Sequence, residues 1–420
     1  MTPPGPPRRH ALRLGALLPL LPLMALVGCE PAHSGQRLDG PWHRQALVQG
    51  HLSHWLRVAL LPNGACRSGF TRDWRLRPNA RPAVELTHQA RLVAALVAGH
   101  DAGLDPRCLP AAESAGRFLL KHFSDPVHGG FFHQVDLEGK PEADAKRGYG
   151  HAFALLALSE LARVSPDPGW ASAAFQTWQT ISQQLLDRFG ALVSNADRRF
   201  AHGQDESRTQ NPSMHLFEAL LAMAQAPQPA MAQAGLAGAR QLAPWVLGSL
   251  VQGLPDGSAH LPEWYDRQWK PHTDAKGFTD LGHQFEWVHL LIDANRLGVS
   301  PTLGAVADRV LQFALAKGYD DIDGGCFNRL LPDGSIDRAK GWWQQAECLH
   351  GLMVAADATQ RPELWRRVEQ TQAWVQRTLV DAEHGGWRPG ADCLSRTCED
   401  LQPDPYHMAQ MHRAAWRLAG

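Results

Sequence analysis

The sequence of 420 residues has almost no net charge, and this balance excludes whole classes of function. Its formal charge at pH 7 is -1, from 41 basic and 42 acidic residues. Proteins that bind nucleic acid or an anionic membrane surface need a clear basic excess. We therefore expect no nucleic-acid partner. The 44% of hydrophobic residues supply an ample core for a globular fold.

The sequence also lacks the short motifs of several common enzyme classes. No G-x-S-x-G turn or Cys–His pattern indicates a nucleophile, and no glycine-rich phosphate loop follows a strand. The seven cysteines are scattered, without the close pairs that zinc ribbons need. Some could pair in an oxidising compartment, where Cys393 and Cys398 are nearest in sequence, but buried free thiols are an equal alternative.

Long apolar runs are missing too, and the segment nearest to a membrane span is a short one at the N-terminus. Arg8 and Arg9 precede the 14 apolar or small residues from Leu14 to Val27, and Leu-Val-Gly-Cys ends at Cys29. A basic start followed by a short apolar stretch is typical of a secretory signal. The ending resembles a bacterial lipobox. We therefore predict a lipoprotein signal peptide over residues 1–28, with Cys29 lipidated and the protein anchored on the periplasmic side of a membrane by this lipid alone.

The remaining chain contains an internal repeat of turn-rich segments and helices. The pattern D-x-x-[HD]-G-G-[FW] begins at Asp125, and close relatives of it begin at Asp320 and Asp381. Two of these segments continue into hairpin-like sequence with Glu-Gly and Asp-Gly turns, which predicts short β-hairpins. Between them lie two kinds of helix. The helix that contains His151 is apolar nearly all round and is predicted to be buried, whereas the helix from Pro362 is amphipathic.

Six helices of each kind alternate along the chain. Amphipathic helices are predicted over residues 41–61, 109–124, 169–190, 228–252, 301–317 and 361–380, and apolar ones over 86–104, 147–164, 212–226, 281–298, 341–359 and 404–419. One polar residue marks the start of each apolar helix: Arg91, His151, His215, His283, Glu347 and His407. These markers are separated by 60, 64, 68, 64 and 60 residues. Such a period predicts an all-α (α/α)6 barrel over residues 41–420, with short β-hairpin insertions and a pocket at its mouth, after a linker over residues 29–40.

Histidine–carboxylate pairs with the spacing His-x-x-Glu occur three times. They are His215/Glu218, His283/Glu286 and His260/Glu263. The spacing alone is weak evidence, because a chain with 21 histidines shows it by chance and a lone histidine is more often a satisfied core residue. The equivalent places of the polar markers in six repeats favour a ring of polar groups around one cavity. Because residues three apart share one side of a helix, we expect Glu286 to fix the tautomer of His283.

A di-metal centre is the main alternative for this ring. Di-iron bundles carry the reversed Glu-x-x-His pairs and need further carboxylates that face the same centre. Here the other repeats offer Glu347 and also Arg91, which would repel a cation. We therefore predict that the protein uses no metal and no cofactor.

Tryptophan is over-represented, with 15 residues against four tyrosines. Trp342 and Trp343 lie just before Glu347, at the mouth of the fifth apolar helix. A lone tryptophan at that place would be rim packing. Beside a ring of histidine, arginine and glutamate, however, flat apolar faces suit a sugar, so we expect a small-molecule sugar substrate.

Five segments in order along the chain resemble the N-acylglucosamine 2-epimerase superfamily, and within it the mannose isomerase-like branch. They are RGYGHAFALLAL from Arg147, QNPSMHLFEALLA from Gln210, GHQFEWVHLL from Gly282, WWQQAE from Trp342 and DPYH from Asp404. The resemblance extends from about Gln45 to the end of the chain. It implies an (α/α)6 barrel that acts on free or lightly substituted aldoses without a metal.

The resemblance also implies roles for individual residues. His283 and His407 match the paired acid/base histidines, and Arg91 resembles the arginine that binds the oxygens at C1 and C2. The residues expected to hold the other hydroxyls or orient the histidines are Asn211, His215, Glu286, Glu347, Tyr149 and His151.

These residues predict proton transfer beside a sugar carbonyl. Neutral imidazole is a base with a suitable pKa, and a cationic or hydrogen-bonding group can hold the enediolate. The positive end of a helix should keep a histidine in its first turn neutral. We expect an aldose–ketose isomerase, for example mannose to fructose, in which His407 returns the proton to C1 and Trp287 narrows the pocket toward monosaccharides.

Other functions stay open at this stage. An enzymatic alternative is a 2-epimerase that acts on an N-acylhexosamine or a cellobiose-like disaccharide. A second alternative is a non-catalytic surface lipoprotein that binds glycans. A glycan-cleaving enzyme would need two facing acids, and the ring offers histidines instead. The chain could be a monomer or a homodimer.

Overall fold

The computed structural model describes residues 1–2, 5, 38–78, 80, 82–203, 207–391 and 401–420. Cys29, Cys393, Cys398 and nearly all of the predicted signal peptide lie outside these residues. The described residues from Leu38 onward belong to one compact unit. None of the described helices is both long and apolar enough to cross a lipid bilayer.

The described residues form thirteen α-helices. They are α1 Gly40–Leu47, α2 Ser53–Val58, α3 Leu86–Ala102, α4 Cys108–Phe118, α5 Gly148–Val164, α6 Gly169–Thr180, α7 Asn211–Ala224, α8 Pro229–Trp245, α9 Leu281–Arg296, α10 Leu303–Phe313, α11 Trp342–Thr359, α12 Pro362–Thr378 and α13 Tyr406–Leu418. The apolar helices α3, α5, α7, α9, α11 and α13 each pack against the next, and α13 packs against α3. They form a closed inner ring, because helices that are apolar nearly all round can bury their sides against neighbours in every direction.

The amphipathic helices surround this ring. Helices α1, α4, α6, α8, α10 and α12 each pack on an inner helix, with their apolar stripe turned inward. Helix α12 illustrates the pattern, since Leu364, Val368 and Val375 are buried along one face. The predicted (α/α)6 barrel is confirmed. Boundaries differ by a few residues, as the last inner helix begins at Tyr406 instead of 404.

Five outer segments contain a π-helical stretch of five residues. These stretches are Val48–Leu52, Leu119–Phe123, Ile181–Leu185, Val246–Leu250 and Ala314–Gly318. The last four directly follow α4, α6, α8 and α10, so the same widened turn ends the outer helix in four repeats. The sequence pattern did not predict this feature.

Within the part of the chain that the structure describes, twelve short strands lie in the connections. They are β1 Ala83–Glu85, β2 Gln134–Asp136, β3 Pro141–Ala143, β4 Lys146–Arg147, β5 Asn195–Ala196, β6 Arg208–Thr209, β7 Gln252–Gly253, β8 Ala259–His260, β9 Trp264–Tyr265, β10 Thr279–Asp280, β11 Arg329–Leu330 and β12 Ile336–Asp337. All pairings are antiparallel, in the orders β1-β2-β3, β10-β11-β12, β4-β5, β6-β9 and β7-β8. Strands β1, β4, β6 and β10 come just before inner helices, so the hairpins lie at the end where those helices begin.

Two of the three Asp-x-x-x-Gly-Gly segments are tight turns that each hold a buried lysine. The buried ammonium of Lys146 lies 3.0 Å from the Asp125 carboxylate and donates to the carbonyl of Gly129 at 2.8 Å. Lys340 contacts Asp320 in the same way, at 2.7 Å. The turns are therefore structural units that fasten the hairpins to the barrel.

Ion pairs join the inner helices α3, α5 and α13 near their C-terminal ends. Arg163 of α5 binds Asp101 of α3 at 2.6 Å and Glu160 at 2.8 Å, and Arg413 of α13 binds Glu160 at 2.7 Å. Because Glu160 is buried, each arginine is needed to offset the desolvation of its charge. These contacts close the ring at the end away from the hairpins.

Candidate active site

Five of the six polar markers meet at the end of the barrel where the inner helices begin. Glu347 bonds His407, and the His407 ring lies 6.4 Å from the His215 ring. The guanidinium carbon of Arg91 lies 5.2 Å from the ring of Tyr406, the neighbour of His407. His283 joins through Trp343, which lies against both acid/base candidates. The predicted ring of polar groups is therefore present as a cluster.

His407 is held by Glu347 across the gap between α13 and α11. Its Nδ1 lies 2.7 Å from Oε1 of Glu347, and its Nε2 makes no hydrogen bond to any described residue. Burial lowers the pKa of His407 well below its ordinary value, and the positive charge of Arg91 and the nearby His215 lower it further. His407 is therefore neutral at neutral pH and has a ring nitrogen available as a base.

His283 has the opposite electrostatic environment. Its Nδ1 lies 2.7 Å from Oε2 of Glu263, which stands in the connection between β8 and β9. Burial by itself lowers the pKa of His283, but the carboxylates of Glu263 and Asp280 outweigh it and raise the pKa to about 10. The expectation that the helix end keeps this histidine neutral is wrong, because two adjacent carboxyl groups dominate over the helix dipole.

The predicted contact between His283 and Glu286 is also wrong. The two side chains share a side of α9, but the His283 ring turns toward Glu263 in the connection between β8 and β9. Glu286 extends toward α7 instead, where its Oε1 lies 3.8 Å from Nδ1 of His215. His215 is in turn bonded through Nδ1 to Glu218, at 2.9 Å.

Trp343 lies between the two acid/base candidates. Its ring centroid is 4.8 Å from the ring of His283 and 5.6 Å from that of His407. Trp342 lies 5.7 Å from His407 on the same side. The indole faces thus provide an apolar surface beside both histidines, as sugar binding requires.

Arg91 is a partly buried cation enclosed by aromatic rings. It donates to the hydroxyl of Tyr149 at 2.6 Å, and its guanidinium carbon lies 4.4 Å from the ring centroid of Phe153. Burial opposes its charge, but Tyr149 and the nearby Asp404 raise the pKa of Arg91 above its ordinary value. Its Nε is buried and has no hydrogen-bond partner among the described residues. A permanent charge is therefore available at this side of the cluster.

Glu286 and Asn211 carry buried oxygens that no described residue satisfies. These atoms are Oε2 of Glu286 and Oδ1 of Asn211. Glu286 is 2% exposed, and burial together with repulsion from Glu347 raises its pKa well above the ordinary value. Since buried polar atoms are normally paired, these two are suited to hydroxyl groups of a bound molecule.

Two predicted site residues have structural roles instead. His151 accepts a hydrogen bond from the backbone of Phe131 at Nε2 (2.9 Å), and its Nδ1 lies 2.8 Å from the carbonyl of Arg147. Both ring nitrogens are thus engaged, which argues against contact with a substrate. Trp287 is fully buried, and its indole N–H donates to the side chain of Gln210. It belongs to the core and does not narrow the pocket.

Three sets of side chains among the described residues bring possible metal-ligand atoms within 4.8 Å of one another. They are His289/Glu347/His350, His215/Glu218/Glu286 and Glu286/Glu347/His407. The charge of Arg91 in the same cluster opposes cation binding, so metal independence stays our prediction. Prolonged chelation should leave turnover intact, and a loss that one specific divalent ion restores would contradict it.

The sequence of residues 69–411 matches the N-acylglucosamine 2-epimerase (GlcNAc 2-epimerase) family. The chain belongs to this family. It is 26% identical over 291 residues to a cellobiose 2-epimerase of Bacteroides fragilis, covering 66% of the chain and 71% of the relative. It is 26% identical over 330 residues to a D-mannose isomerase of Thermobifida fusca, covering 73% and 78%.

Solved structures of the N-acylglucosamine 2-epimerase family share the fold. The cellobiose 2-epimerase of Bacillus thermoamylovorans superimposes with a TM-score of 0.80 at 20% identity, covering 90% of this chain and 98% of that one. A D-mannose isomerase superimposes with a TM-score of 0.79 at 18% identity, covering 90% and 97%. The protein is accordingly an enzyme, a carbohydrate isomerase or epimerase.

The sequence interpretation missed the partner of His283 and the second histidine bound to Glu347. Glu263 was noted only as one member of a His-x-x-Glu pair, because it lies in the connection between β8 and β9 and not on an inner helix. His289 continues the His283/Glu286 stripe by another three residues, a spacing that could have indicated it. Glu218 was visible in the pair that it does form with His215.

Proposed function

We propose that the enzyme is an aldose–ketose isomerase that acts on a free aldose such as D-mannose. The observation that carries the proposal is the difference between its two histidines. His407 is neutral and bonded to Glu347, whereas His283 is held as imidazolium by Glu263. Two titratable groups whose surroundings move their pKa values apart are suited to act as base and acid.

The proposed reaction returns both histidines to their starting states. Nε2 of His407 takes the proton from C2 of the open-chain aldose, while the imidazolium of His283 protonates O1. Arg91 stabilises the negative charge that develops on the enediolate. His407 then delivers its proton to C1, and His283 recovers a proton from O2 as the ketose carbonyl forms.

A 2-epimerase that acts on a cellobiose-like or N-acylated sugar is the second candidate, because relatives of both kinds match the chain. Epimerisation in both directions needs a base on each face of C2. The pairing of His283 with Glu263 keeps its ring protonated at neutral pH, so His283 has no free nitrogen with which to take a proton from C2. This asymmetry favours transfer by one base between C2 and C1, which gives a ketose.

The role of His407 is tested by the His407→Asn variant. The kcat should fall by about 100-fold or more, the usual scale for loss of a general base, with the circular dichroism spectrum and melting temperature unchanged. The assay should screen a panel of aldoses and disaccharides by NMR with the purified mature protein. Wild-type activity that survives the substitution within about twofold would remove His407 from the chemistry.

We also propose that the protein is exported and anchored on the periplasmic side of a bacterial membrane through lipid on Cys29. The support is the short apolar run after two arginines and the Leu-Val-Gly-Cys ending. The Cys29→Ser variant should leave the membrane fraction when cells are fractionated. A wild-type protein found soluble in the cytoplasm with residues 1–28 still attached would contradict this proposal.

A further inference from the structure

Glu347, the carboxylate that binds His407, is also hydrogen-bonded to a second histidine. Oε1 of Glu347 lies 2.7 Å from Nδ1 of His407, and Oε2 lies 3.1 Å from Nε2 of His289 on α9. Glu347 is 2% exposed and His289 is 4% exposed, so water competes little for either bond. One carboxylate therefore links the base to a second histidine that the proposed reaction does not use.

The partner of His283 is held by different groups. Oε1 of Glu263 accepts from the hydroxyl of Thr209 at 2.8 Å, and Oε2 accepts from Nε2 of Gln210 at 3.3 Å. Both donors are neutral at every pH of interest. Of the two histidine–carboxylate pairs, only His407–Glu347 thus has a titratable group, His289, bound to its carboxylate.

The surroundings of His289 suit a hydrogen bond better than a metal ligand. Its ring stacks on that of His350 with centroids 3.7 Å apart and planes 19° apart. Imidazole binds a metal in the plane of its ring, and ligands spread around the ion, so two stacked parallel rings cannot both direct a nitrogen at one ion between them. Nε2 of His289 is already engaged by Glu347.

The charges around His289 and His407 come from several helices. Glu286 and Asp293 of α9 and Glu218 of α7 act on His289, and Arg413 of α13 acts on the stacked His350. The groups that act on His407 are Arg91 of α3, His215 of α7, His283 and His289 of α9, and Glu347 of α11. Burial is the largest effect and lowers the pKa of His289, so its ring is neutral at neutral pH.

We propose that His289 is a positioning residue that acts through Glu347 to keep the proton of His407 on Nδ1 and its Nε2 free as the base. The inference rests on the proposed role of His407 but not on whether the product is a ketose or an epimer. With Oε2 of Glu347 engaged by His289, only Oε1 remains to accept from His407. Without His289, the carboxyl group is free to turn or take up a proton, and His407 is no longer restricted to one tautomer.

The direct test is the tautomer of His407 in the full-length wild-type enzyme, measured by NMR with 15N-labelled histidine at neutral pH. The His407→Asn variant assigns the signal. We expect the proton on Nδ1 in the wild type and a mixture of both tautomers in His289→Leu. Wild-type His407 that carries its proton on Nε2 overturns the proposal, whether or not any variant folds.

Kinetics provide the second readout, on whichever sugar the wild type converts. His289→Leu should lower kcat by about 10-fold with KM changed by less than about twofold, and the acid limb of the kcat profile should move to higher pH. The reason is that Glu347, with one donor fewer, stabilises the imidazolium form of His407 more strongly, whichever ring nitrogen faces the carboxylate. His289→Gln, whose amide can donate to Glu347, should recover most of kcat.

The matched control is His350→Leu. It removes the stacked ring but no hydrogen bond to Glu347, because Nδ1 of His350 lies 3.8 Å from Oε2 of Glu347. Equal losses in the His289→Leu and His350→Leu variants, with an unmoved pH profile, would show a packing role only and overturn the proposal. A wild type without any turnover would instead count against the proposed function, and the NMR measurement would still decide the role of His289.

Discussion

The pKa values of the two acid/base histidines differ because their charged neighbours differ, although the nearest glutamate lies equally close to each. Each Nδ1 lies 2.7 Å from a glutamate, yet the pKa of His283 rises to about 10 while that of His407 falls. Asp280 adds a second carboxyl group beside His283, whereas Arg91 faces His407. The charges of the further neighbours, more than the hydrogen bond to glutamate, make His283 the acid and His407 the base.

The sequence could predict the histidines but not this assignment. His283, His407 and Arg91 stand at equivalent places in the repeat, which a period of about 64 residues reveals. Glu263 reaches His283 from the connection between β8 and β9, 20 residues earlier in the chain, and the geometry of such a connection is not encoded in helical periodicity. His151 has the same place in its repeat but is used to fasten a turn.

The Glu263→Gln variant tests the acid assignment. The pKa of His283 should fall from about 10 toward or below its ordinary value, because burial then acts without the main opposing charge. Activity that needs the imidazolium should decline at lower pH than in the wild type, and kcat at pH 8 should drop by about 10-fold or more. The measurement is the kcat profile from pH 6 to 10.

Glu138→Gln is the control for this profile, because Glu138 is an exposed residue in the turn between β2 and β3. It should behave as the wild type. An alkaline limb that stays in place in Glu263→Gln would show that His283 does not act as the acid.

Helix α9 shows how one element positions the site. Its first turn is capped by Asp280, whose carboxylate accepts from the backbone of Gly282 at 3.0 Å and of His283 at 3.3 Å. Three residues of the same helix, His283, Glu286 and His289, then follow at intervals of three and contact three different partners. The helices were predictable from apolar periodicity, and the two predicted hairpins are present as β2-β3 and β11-β12. The pairs β1-β2, β4-β5 and β6-β9 join different connections, which no local sequence pattern predicts.

We predict that Asp280→Ala destabilises the protein by about 1–2 kcal/mol, the usual effect of losing an N-terminal helix cap. Asp280→Asn keeps an oxygen acceptor and should lose much less. Urea unfolding of both variants at pH 7.5 checks the difference. Equal stability of Asp280→Ala and the wild type would mean that packing alone fixes the start of α9.

At the scale of the whole molecule, several buried histidines outside the site are neutral. Burial, as the largest cause, lowers the pKa of His43 to about 4 and that of His51 to about 3, and lowers that of His412 well below its ordinary value. His43 and His412 lie with their Nδ1 atoms 2.9 Å apart between α1 and α13. Protonation of the ring that accepts this hydrogen bond would break the contact between α1 and α13.

Stability should therefore fall in acid. The unfolded chain takes up these protons below about pH 6.5, whereas the folded protein does not until about pH 4 or 3. Each such histidine then costs about 1.4 kcal/mol per pH unit in that window. His283 acts in the opposite sense, since its contribution is present below pH 6.5 and is lost as the pH rises toward about 10.

Urea unfolding at pH 7.5, 6 and 5 measures this dependence. We expect a steep loss of stability between pH 6.5 and 5, and a smaller slope in His51→Gln, which removes one titrating ring. A slope that is flat in the wild type would show that the buried histidines do not control acid stability.

An isomerase moves the proton from C2 to C1, whereas an epimerase returns a proton to C2, and one experiment distinguishes the two directly. The purified mature enzyme is incubated with D-mannose in deuterated water, and the products are followed by NMR from the first minutes. We predict fructose, with deuterium at C1 to the extent that the proton on His407 exchanges with solvent. A product that consists only of the C2 epimer, with no ketose at any time, would contradict the single-base isomerase proposed for this barrel.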